Sequence, residues 1–179
     1  MRILFISDIH GIKTNLLKVE EAFNKLNCDK LVILGDVLNN GYHVYNYDKD
    51  YVEKFLKKYK NKLIIIKGNC DYSNDFDFLK INPNYLEKIK TDRREIYLTH
   101  GHLYNEITWN KENTILVLGH THIPKIQEEN TNLFINPGSI SKPRGLKEPS
   151  YLFFNESEFI IYDVDGKEIM KKVLSHKIG

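Results

Sequence analysis

The chain has 179 residues and a formal net charge of only +2, with acidic and basic residues interspersed along it. This balance excludes a dedicated nucleic-acid surface, and no apolar run approaches the roughly 18 residues that a membrane span needs. A chain of this length buries about 70% of its unfolded surface, so no disulfide framework is required. The two cysteines, Cys28 and Cys70, suggest no disulfide framework, and free thiols fit a reducing compartment. The chain opens without a signal-peptide pattern. We therefore expect one cytoplasmic domain over residues 1–179.

The first half of the chain alternates between strand and helix patterns. Continuous apolar runs predict buried strands, and apolar residues at helical spacing predict two amphipathic helices between them. In chain order we predict a strand over residues 1–6, a helix over 14–26, a strand over 31–34, a helix that opens at a capping box of Asp50 and Glu53, and a strand over 63–67. This order is typical of a parallel sheet with right-handed crossovers.

The second half carries mostly strand patterns. Strands are predicted over residues 95–99, 114–118, 133–136, 151–154, 159–164 and 168–174, the last three as an antiparallel meander. Asp165-Gly166 predicts a two-residue hairpin turn between the final two strands. Residues 72–92 follow no clear pattern, and we expect an irregular rim there. The predicted fold is α/β, with two packed mixed β-sheets flanked by helices in an α-β-β-α sandwich.

Polar clusters follow five of the apolar segments. In chain order they are Asp8-Ile9-His10-Gly11, Gly35-Asp36, Gly68-Asn69-Cys70-Asp71, His100-Gly101-His102 and Gly119-His120-Thr121-His122. Strands of an α/β sheet converge their carboxyl ends on one crevice, so we expect these clusters to meet. Carboxylate, amide and imidazole donors suit Mn²⁺, Fe²⁺ or Zn²⁺, and the set is large enough for two ions. Paired cations stabilise the attacking and leaving oxygens of a phosphate ester, so the pattern indicates its hydrolysis.

The spacing inside two clusters is also informative. Asp8 and His10 are two residues apart, as are His120 and His122. In an extended segment residues i and i+2 point to the same side, so each pair is expected to reach one cation from a strand end. Glycines adjoin every cluster, and glycine tolerates the close backbone approach that a crowded metal centre requires.

The ordered set of motifs resembles the calcineurin-like metallophosphoesterases, whose pattern is DxH, GDxx, GNH[DE], a histidine and GHxH. The segments SDIHG, LGDVLN, GNCD, LTHGHL, GHTHIP and NPGSISKPRG are similar to those of the small YfcE-type phosphodiesterases in that family. The resemblance spans essentially the whole chain. It implies a metallophosphoesterase-like fold and a metal-dependent phosphoric diester hydrolase that acts on a small phosphodiester, nucleotide-like or otherwise.

The resemblance also implies two sets of metal ligands. One cation would be held by Asp8, His10, Asp36 and His122, and the other by Asp36, Asn69, His100 and His120. Asp36 would bridge the two ions. A hydroxide shared by them would attack phosphorus in line, because coordination lowers the pKa of bound water to near neutrality. Mn²⁺ is the expected ion, with Zn²⁺, Fe²⁺ or Ni²⁺ as alternatives.

One position departs from the family pattern. Cys70 stands where most members have a histidine that assists the leaving group. A thiol is a weak donor, so we expect a diesterase that needs an activated leaving group, with a space-filling role for Cys70 as the alternative. Asp71 would have lost its usual partner and is expected to orient Asn69 or a neighbouring group. His102 either contacts substrate phosphate or has a structural role. The predicted catalytic residues are Asp36, Asn69, Cys70, Asp71 and His102.

Further residues could border the site. Residues 136–139 and Arg144 form either a loop that places Arg144 near phosphate or an ordinary Pro/Gly turn, and we favour the turn. His43 could reach the pocket, although we favour a surface position. Aromatic side chains could stack on a base or simply pack, and the candidates are Tyr42, Tyr45, Tyr47, Tyr72 and Trp109.

Two other functions remain open from the sequence. A phosphomonoesterase or pyrophosphohydrolase would use the same ligands, and its leaving-group profile would distinguish it from a diesterase. A non-catalytic scaffold is the alternative from another class, because a retromer subunit of similar fold is a protein-binding module. A scaffold is expected to have lost ligands, whereas this chain keeps every ligand named above. The natural substrate is not readable from the sequence, and a homo-oligomer through an exposed strand edge stays open.

Overall fold

The computed structural model describes residues 1–38, 44–91, 94–145 and 148–174. Within these ranges the strands, numbered in chain order, are β1 (Ile3–Ile6), β2 (Lys30–Ile33), β3 (Leu63–Ile65), β4 (Leu86–Lys90), β5 (Glu95–Thr99), β6 (Ile115–Leu118), β7 (Pro124–Glu129), β8 (Asn132–Pro137), β9 (Ser150–Phe154), β10 (Glu158–Asp163) and β11 (Glu168–Val173). The α-helices are α1 (Leu16–Lys25) and α2 (Lys49–Tyr59). Short 3₁₀ helices occupy Lys60–Lys62 and Ser73–Leu79.

The strands form two mixed sheets. The six-stranded sheet has the order β11-β10-β9-β1-β2-β3, in which β1, β2 and β3 are parallel and β9 to β11 form the antiparallel meander. The five-stranded sheet has the order β4-β5-β6-β8-β7, in which β5, β6 and β8 are parallel and the edge strands are antiparallel. The predicted class of two packed mixed sheets is confirmed.

Alternate residues of the central strand β1 serve two different cores. Ile3 and Phe5 pack between the sheets, in one cluster with residues of β5, β6 and β8. Leu4 and Ile6 pack under α1 and α2 on the other face of the same sheet. All four side chains are fully buried, and each such burial contributes about 1.5–3 kcal/mol relative to exposure. Burial on both faces is the reason that this strand is apolar at every position.

The helices begin and end close to the predicted positions, but one N-terminus differs. Asp48 is the N-cap of α2, and its Oδ1 accepts the Tyr51 N–H at 3.0 Å. The predicted capping box of Asp50 and Glu53 is therefore wrong, because the helix starts before it. Asp48 also forms a 2.8 Å ion pair with Lys13, a contact from a distant loop that the local sequence could not reveal. In the described ranges, no helix combines the length and the apolar character that a membrane span requires.

The sequence patterns missed two edge strands and one turn detail. β4 and β7 lie at the two edges of the five-stranded sheet, where a half-exposed strand gives a weak apolar pattern. The region 72–92, predicted as an irregular rim, contains β4 and a 3₁₀ helix. The predicted hairpin joins β10 to β11, but its loop has three residues, 164–166, because the Asp163 N–H donates to the Lys167 carbonyl. Gly166 alone of these three has a positive φ, of 89°.

Candidate metal centre

The predicted ligands come from loops that follow the parallel strands of both sheets. The loops after β1, β2 and β3 carry Asp8 and His10, Asp36, and Asn69, respectively. The loops after β5 and β6 carry His100, and His120 with His122, from the facing sheet. The structure brings the two groups together at one edge of the sandwich, where His122 Nε2 is 3.2 Å from Asp8 Oδ1.

The backbone at these residues is left-handed rather than extended. Asp8, His10, Asp36, His120 and His122 have φ values of 57°, 51°, 54°, 68° and 61°. Such values are uncommon outside glycine and cost about 1–2 kcal/mol per residue. The expectation of extended i, i+2 pairs is therefore wrong in its geometry, although both members of each pair still reach the site. Strain concentrated in this way is typical of pre-organised functional sites.

One donor group combines residues from loops of both sheets. Single ligand atoms of Asp8, His10 and His122 all lie within 4.8 Å of one another, and all three residues are buried. His10 Nε2 is 3.9 Å from Asp8 Oδ1 and 3.8 Å from Asp36 Oδ2. This spacing would allow one cation to contact all three side chains.

A second donor group shares one residue with the first. Atoms of Asp8, Asp36 and His100 also lie within 4.8 Å of one another, so Asp8 belongs to both groups, and Asp36 Oδ2 lies 3.8 Å from His10 Nε2 of the first group. Asn69 Oδ1 is 3.0 Å from His100 Nε2. His120 is adjacent, with its ring centroid 5.1 Å from that of His100, and its backbone N–H donates to Asp8 Oδ2. Asn69 and His120 are exposed, so this side of the site opens to solvent.

Two histidines are oriented by backbone carbonyls. His100 Nδ1 donates to the Leu34 carbonyl at 2.6 Å, and His122 Nδ1 donates to the Lys142 carbonyl at 2.7 Å. In a neutral imidazole the other nitrogen, Nε2, is then an acceptor. Histidines that ligate metals are commonly held in this way.

Acceptor atoms consequently face one another across the site. His100 Nε2 points at Asn69 Oδ1, and at Asp36 Oδ1 3.4 Å away. Asp8 Oδ1 is buried and accepts no hydrogen bond from the residues that the structure describes. Opposed acceptors in a buried place are satisfied by a proton or by a cation between them. The donor types and their convergence therefore fit a centre of divalent cations.

The pKa values follow the same charge distribution. Burial alone would raise the pKa of Asp36, but His100 and the Cys70 N–H together hold it well below its usual range. Burial lowers the pKa of His100 and of His122, yet Asp36 and Asp8 raise both above the ordinary value. Both shifts reflect the negative charge that the Asp8 and Asp36 carboxylates place beside the two imidazole rings.

Asp71 joins two of the ligand loops. Its Oδ2 accepts the N–H groups of Asp36 and Gly68 at 2.9 and 2.8 Å, and its Oδ1 accepts that of Val37 at 2.7 Å. Burial raises the pKa of Asp71 to about 6, against the lowering effect of these N–H groups. The predicted orienting role is thus directed at the backbone that carries Asp36 and Asn69.

Glycine is required where these loops cross. A Cβ on Gly68 would lie 2.2 Å from Asp36 Oδ1 and 2.4 Å from the Asp36 nitrogen. Gly35 has a φ of 94°, and a Cβ there would meet Gly68 and His100 Nδ1 at 2.7 Å. A larger residue at position 68 would displace the Asp36 carboxylate, and one at position 35 would displace the Gly68 backbone or the His100 ring.

Cys70 and His102 lie at the margin of the site. Burial, followed by the charge of Asp36, raises the pKa of Cys70 to about 12, so its thiol is a weak acid. His102 has its ring 5.4 Å from that of His100, and burial followed by the charges of His100 and His120 lowers its pKa. His102 Nδ1 is buried and has no hydrogen-bond partner among the described residues.

The end of β8 and the loop that follows it support the loops of His120 and of Asp8. Asn136 Nδ2 donates to the Gly119 carbonyl at 2.6 Å, and Ser139 Oγ donates to the Asp8 carbonyl at 2.9 Å. The favoured interpretation of residues 136–139 as a plain turn therefore omitted this support. Arg144 is exposed, its N–H donates to the His122 carbonyl, and its charge lowers the pKa of His122.

The sequence did not predict that Tyr85 and Lys67 border the site beside His102; we call these two residues the Tyr85 wall. The Tyr85 ring is exposed and lies 5.5 Å from the His102 ring, and Lys67 Nζ lies 5.6 Å from the Tyr85 centroid. Lys67 directly precedes the predicted cluster that begins at Gly68, so the sequence could have indicated it. Tyr85 lies within residues 72–92, which follow no clear pattern.

The predicted aromatic positions differ in their surroundings. Tyr72 is exposed, as is Tyr45, while Trp109 packs edge-on against Tyr97 and donates to Thr114 Oγ1 at 2.7 Å. The Tyr47 ring lies against Gly11. Tyr42 and His43 lie outside the described residues.

This fold and donor arrangement match a known family. A model of the calcineurin-like phosphoesterase superfamily domain matches residues 1–158, and the chain belongs to this family. Phosphodiesterase YfcE of Escherichia coli K12 is 31% identical over 179 residues, with 97% of each chain covered. The solved structure of YfcE, a phosphoesterase from E. coli, has a TM-score of 0.90 over 98% of this chain and 100% of that one. Vps29 from Cryptosporidium parvum, at 21% identity and a TM-score of 0.67 over 97% of each chain, is similar in fold alone.

Proposed function

We propose that this chain is a cytoplasmic, two-metal phosphodiesterase that hydrolyses a small phosphodiester within one domain over residues 1–179. The observation that carries the proposal is the set of opposed acceptors at the edge where the two sheets meet. His100 Nε2, Asn69 Oδ1 and Asp36 Oδ1 face one another, and Asp8 Oδ1 is buried beside His122. The E. coli relative YfcE is named a phosphodiesterase, which supports a diester as the substrate.

The proposed ligand sets are those that the family resemblance implies, and the donor groups support them. One set comprises Asp8, His10, Asp36 and His122, and the other comprises Asp36, Asn69, His100 and His120. Bound cations supply a nucleophilic hydroxide at neutral pH and neutralise charge on the phosphate oxygens. The protein contributes fixed ligand positions: carbonyls orient His100 and His122, and Asp71 holds the loop of Asp36. Mn²⁺ is the ion proposed from the resemblance.

The leaving group limits the substrate. With the pKa of its thiol raised to about 12, Cys70 does not supply a proton readily to a basic alkoxide. A phenolate or similarly activated group departs without that proton. A diester with one good leaving group therefore suits the site better than an alkyl monoester.

The first test is hydrolysis of bis-p-nitrophenyl phosphate against p-nitrophenyl phosphate by chelator-stripped protein. Mn²⁺, Zn²⁺, Ni²⁺ or Mg²⁺ is added back singly, and an Asn69→Ala variant is assayed in parallel. We expect metal-restored cleavage that favours the diester and is lost in the variant. Preference for the monoester would favour the phosphomonoesterase alternative. If the folded protein cleaves neither substrate with any of these metals, the result would favour a protein-binding scaffold. The similarity in fold to Vps29 is the reason for retaining this alternative.

Cys70→His is expected to raise monoester turnover relative to diester turnover. An imidazole at this position supplies the general acid that the thiol lacks, and general acids contribute about 10²–10⁴-fold. We expect the ratio of alkyl phosphate monoester to bis-p-nitrophenyl phosphate hydrolysis to rise by about tenfold or more, because only the alkoxide leaving group needs that proton. Cys70→Ser is the control, since it supplies no better acid. An unchanged ratio in Cys70→His would contradict this role for the position.

Tyr85→Ala is expected to weaken binding of a substrate that carries an aromatic or nucleobase group. The exposed ring beside His102 offers a stacking surface next to the donor groups. Stacking of a base on an aromatic side chain contributes about 1–3 kcal/mol, which corresponds to a KM increase of about 5–100-fold. Tyr85→Phe keeps the ring and is expected to retain the parental KM. Equal KM values in all three proteins would show that substrate does not contact the Tyr85 wall.

A further inference from the structure

A third donor group contains sulfur. Ligand atoms of His10, Asp36 and Cys70 lie within 4.8 Å of one another. The sequence motifs predict only oxygen and nitrogen ligands, and Cys70 stands where the family pattern has histidine. His10 and Asp36 are themselves proposed ligands of one cation, so the thiol lies against an existing donor set rather than alone.

Short contacts hold Cys70 in this position. Its backbone N–H donates to Asp36 Oδ1 at 2.9 Å, and its Sγ accepts from Asn69 Nδ2 at 3.2 Å. Asp71, the next residue, is anchored by three backbone N–H groups. The sulfur position is therefore fixed by the same loop crossing that positions Asp36.

Independent geometry points to a cation at this place. Asp8 is fully buried, and its Oδ1 lies 3.2 Å from His122 Nε2 and 3.9 Å from His10 Nε2. Because His122 Nδ1 donates to the Lys142 carbonyl, Nε2 of the neutral His122 ring is an acceptor. A buried carboxylate oxygen without a donor requires positive charge nearby. His10 Nε2 lies 3.9 Å from that oxygen and 3.8 Å from Asp36 Oδ2, so it neighbours both carboxylates.

We infer that Cys70 is a thiolate ligand of the cation held by His10 and Asp36, an inference that rests on the proposed two-metal function. The thiol proton passes to solvent when the cation binds, and one sulfur–metal bond forms. Thiolate is a soft ligand that favours Zn²⁺, Co²⁺ or Fe²⁺ over Mn²⁺. The residue that replaces the family histidine would then set metal preference, in addition to removing a general acid.

Cobalt substitution tests the inference through a spectroscopic signal rather than through activity. Chelator-stripped protein is titrated with Co²⁺ while the visible d–d bands and the near-ultraviolet sulfur-to-cobalt charge-transfer band are recorded. We expect both signals in the parent protein, and the d–d bands without the charge-transfer band in Cys70→Ser. Cys28→Ala is the matched control: Cys28 is buried before β2, at the opposite end of that strand from Asp36, and its removal should leave both signals unchanged.

The outcomes separate the ligand role from the proposed function. Cobalt d–d bands without a charge-transfer band in the parent protein would overturn the thiolate ligand and leave the metal centre intact. No cobalt signal of either kind would overturn both. Competition titrations give a second readout: Zn²⁺ affinity should fall by at least about tenfold in Cys70→Ser, with a smaller change for Mn²⁺. Equal losses for the two ions would contradict a sulfur ligand.

Discussion

Asp36→Asn is expected to abolish metal-dependent hydrolysis of bis-p-nitrophenyl phosphate and to reduce the bound metal from two ions to about one. The carboxylate contributes to two donor groups, and an amide there carries no charge and can offer only one oxygen. A cation supplies several kcal/mol of transition-state stabilisation, so kcat/KM should fall by about 10³-fold or more.

Metal content by elemental analysis and kcat/KM on the same preparation provide the measurement. Asp77→Asn is the matched control, because Asp77 is exposed in the 3₁₀ helix Ser73–Leu79. The asparagine at position 36 can still accept the Cys70 N–H, so the fold should survive the change. Retention of two ions with near-parental kcat/KM would mean that Asp36 is not the shared ligand.

Asp71→Asn is expected to destabilise the metal-free protein by about 2–4 kcal/mol. The two carboxylate oxygens accept three backbone N–H groups, and an amide must turn its NH₂ toward at least one of them. A buried N–H left without an acceptor costs about 1–3 kcal/mol, and a hydrogen bond to a charged group contributes about 1.5–3 kcal/mol. Weakening these contacts should also lower metal affinity, because they hold together the loops after β2 and β3 that carry Asp36 and Asn69.

Chemical denaturation in the presence of a chelator isolates the stability effect from metal binding. Asp48→Asn makes the same chemical change at the N-cap of α2, where asparagine caps as well as aspartate. The control should therefore lose only what its exposed ion pair with Lys13 contributes, up to about 1 kcal/mol. Equal destabilisation by the two variants would show that the Asp71 contacts are no stronger than an ordinary cap.

The sequence predicted the fold best where a strand is buried on both faces. β1 and β6 were placed to within two residues, because every position of a strand covered on both faces must be apolar. β4 and β7 were missed because edge strands face solvent on one side and carry Lys and Glu. The start of α2 was misplaced because its cap, Asp48, is held in part by Lys13 from another loop.

The chemistry of the site was fixed by the sequence through the motifs that follow those strands. Residue types and their order were enough to name Asp8, His10, Asp36 and His100 as candidates, because parallel strands bring their carboxyl ends to one edge. Only the tertiary structure decided the left-handed backbone of the ligands, the three N–H groups on Asp71 and the sulfur beside His10. The contacts of Asp71 with Asp36 and Val37, and of the Cys70 N–H with Asp36, join loops that lie more than 30 residues apart. A local pattern specifies which side chains are present, whereas packing of the two sheets determines which atoms face one another.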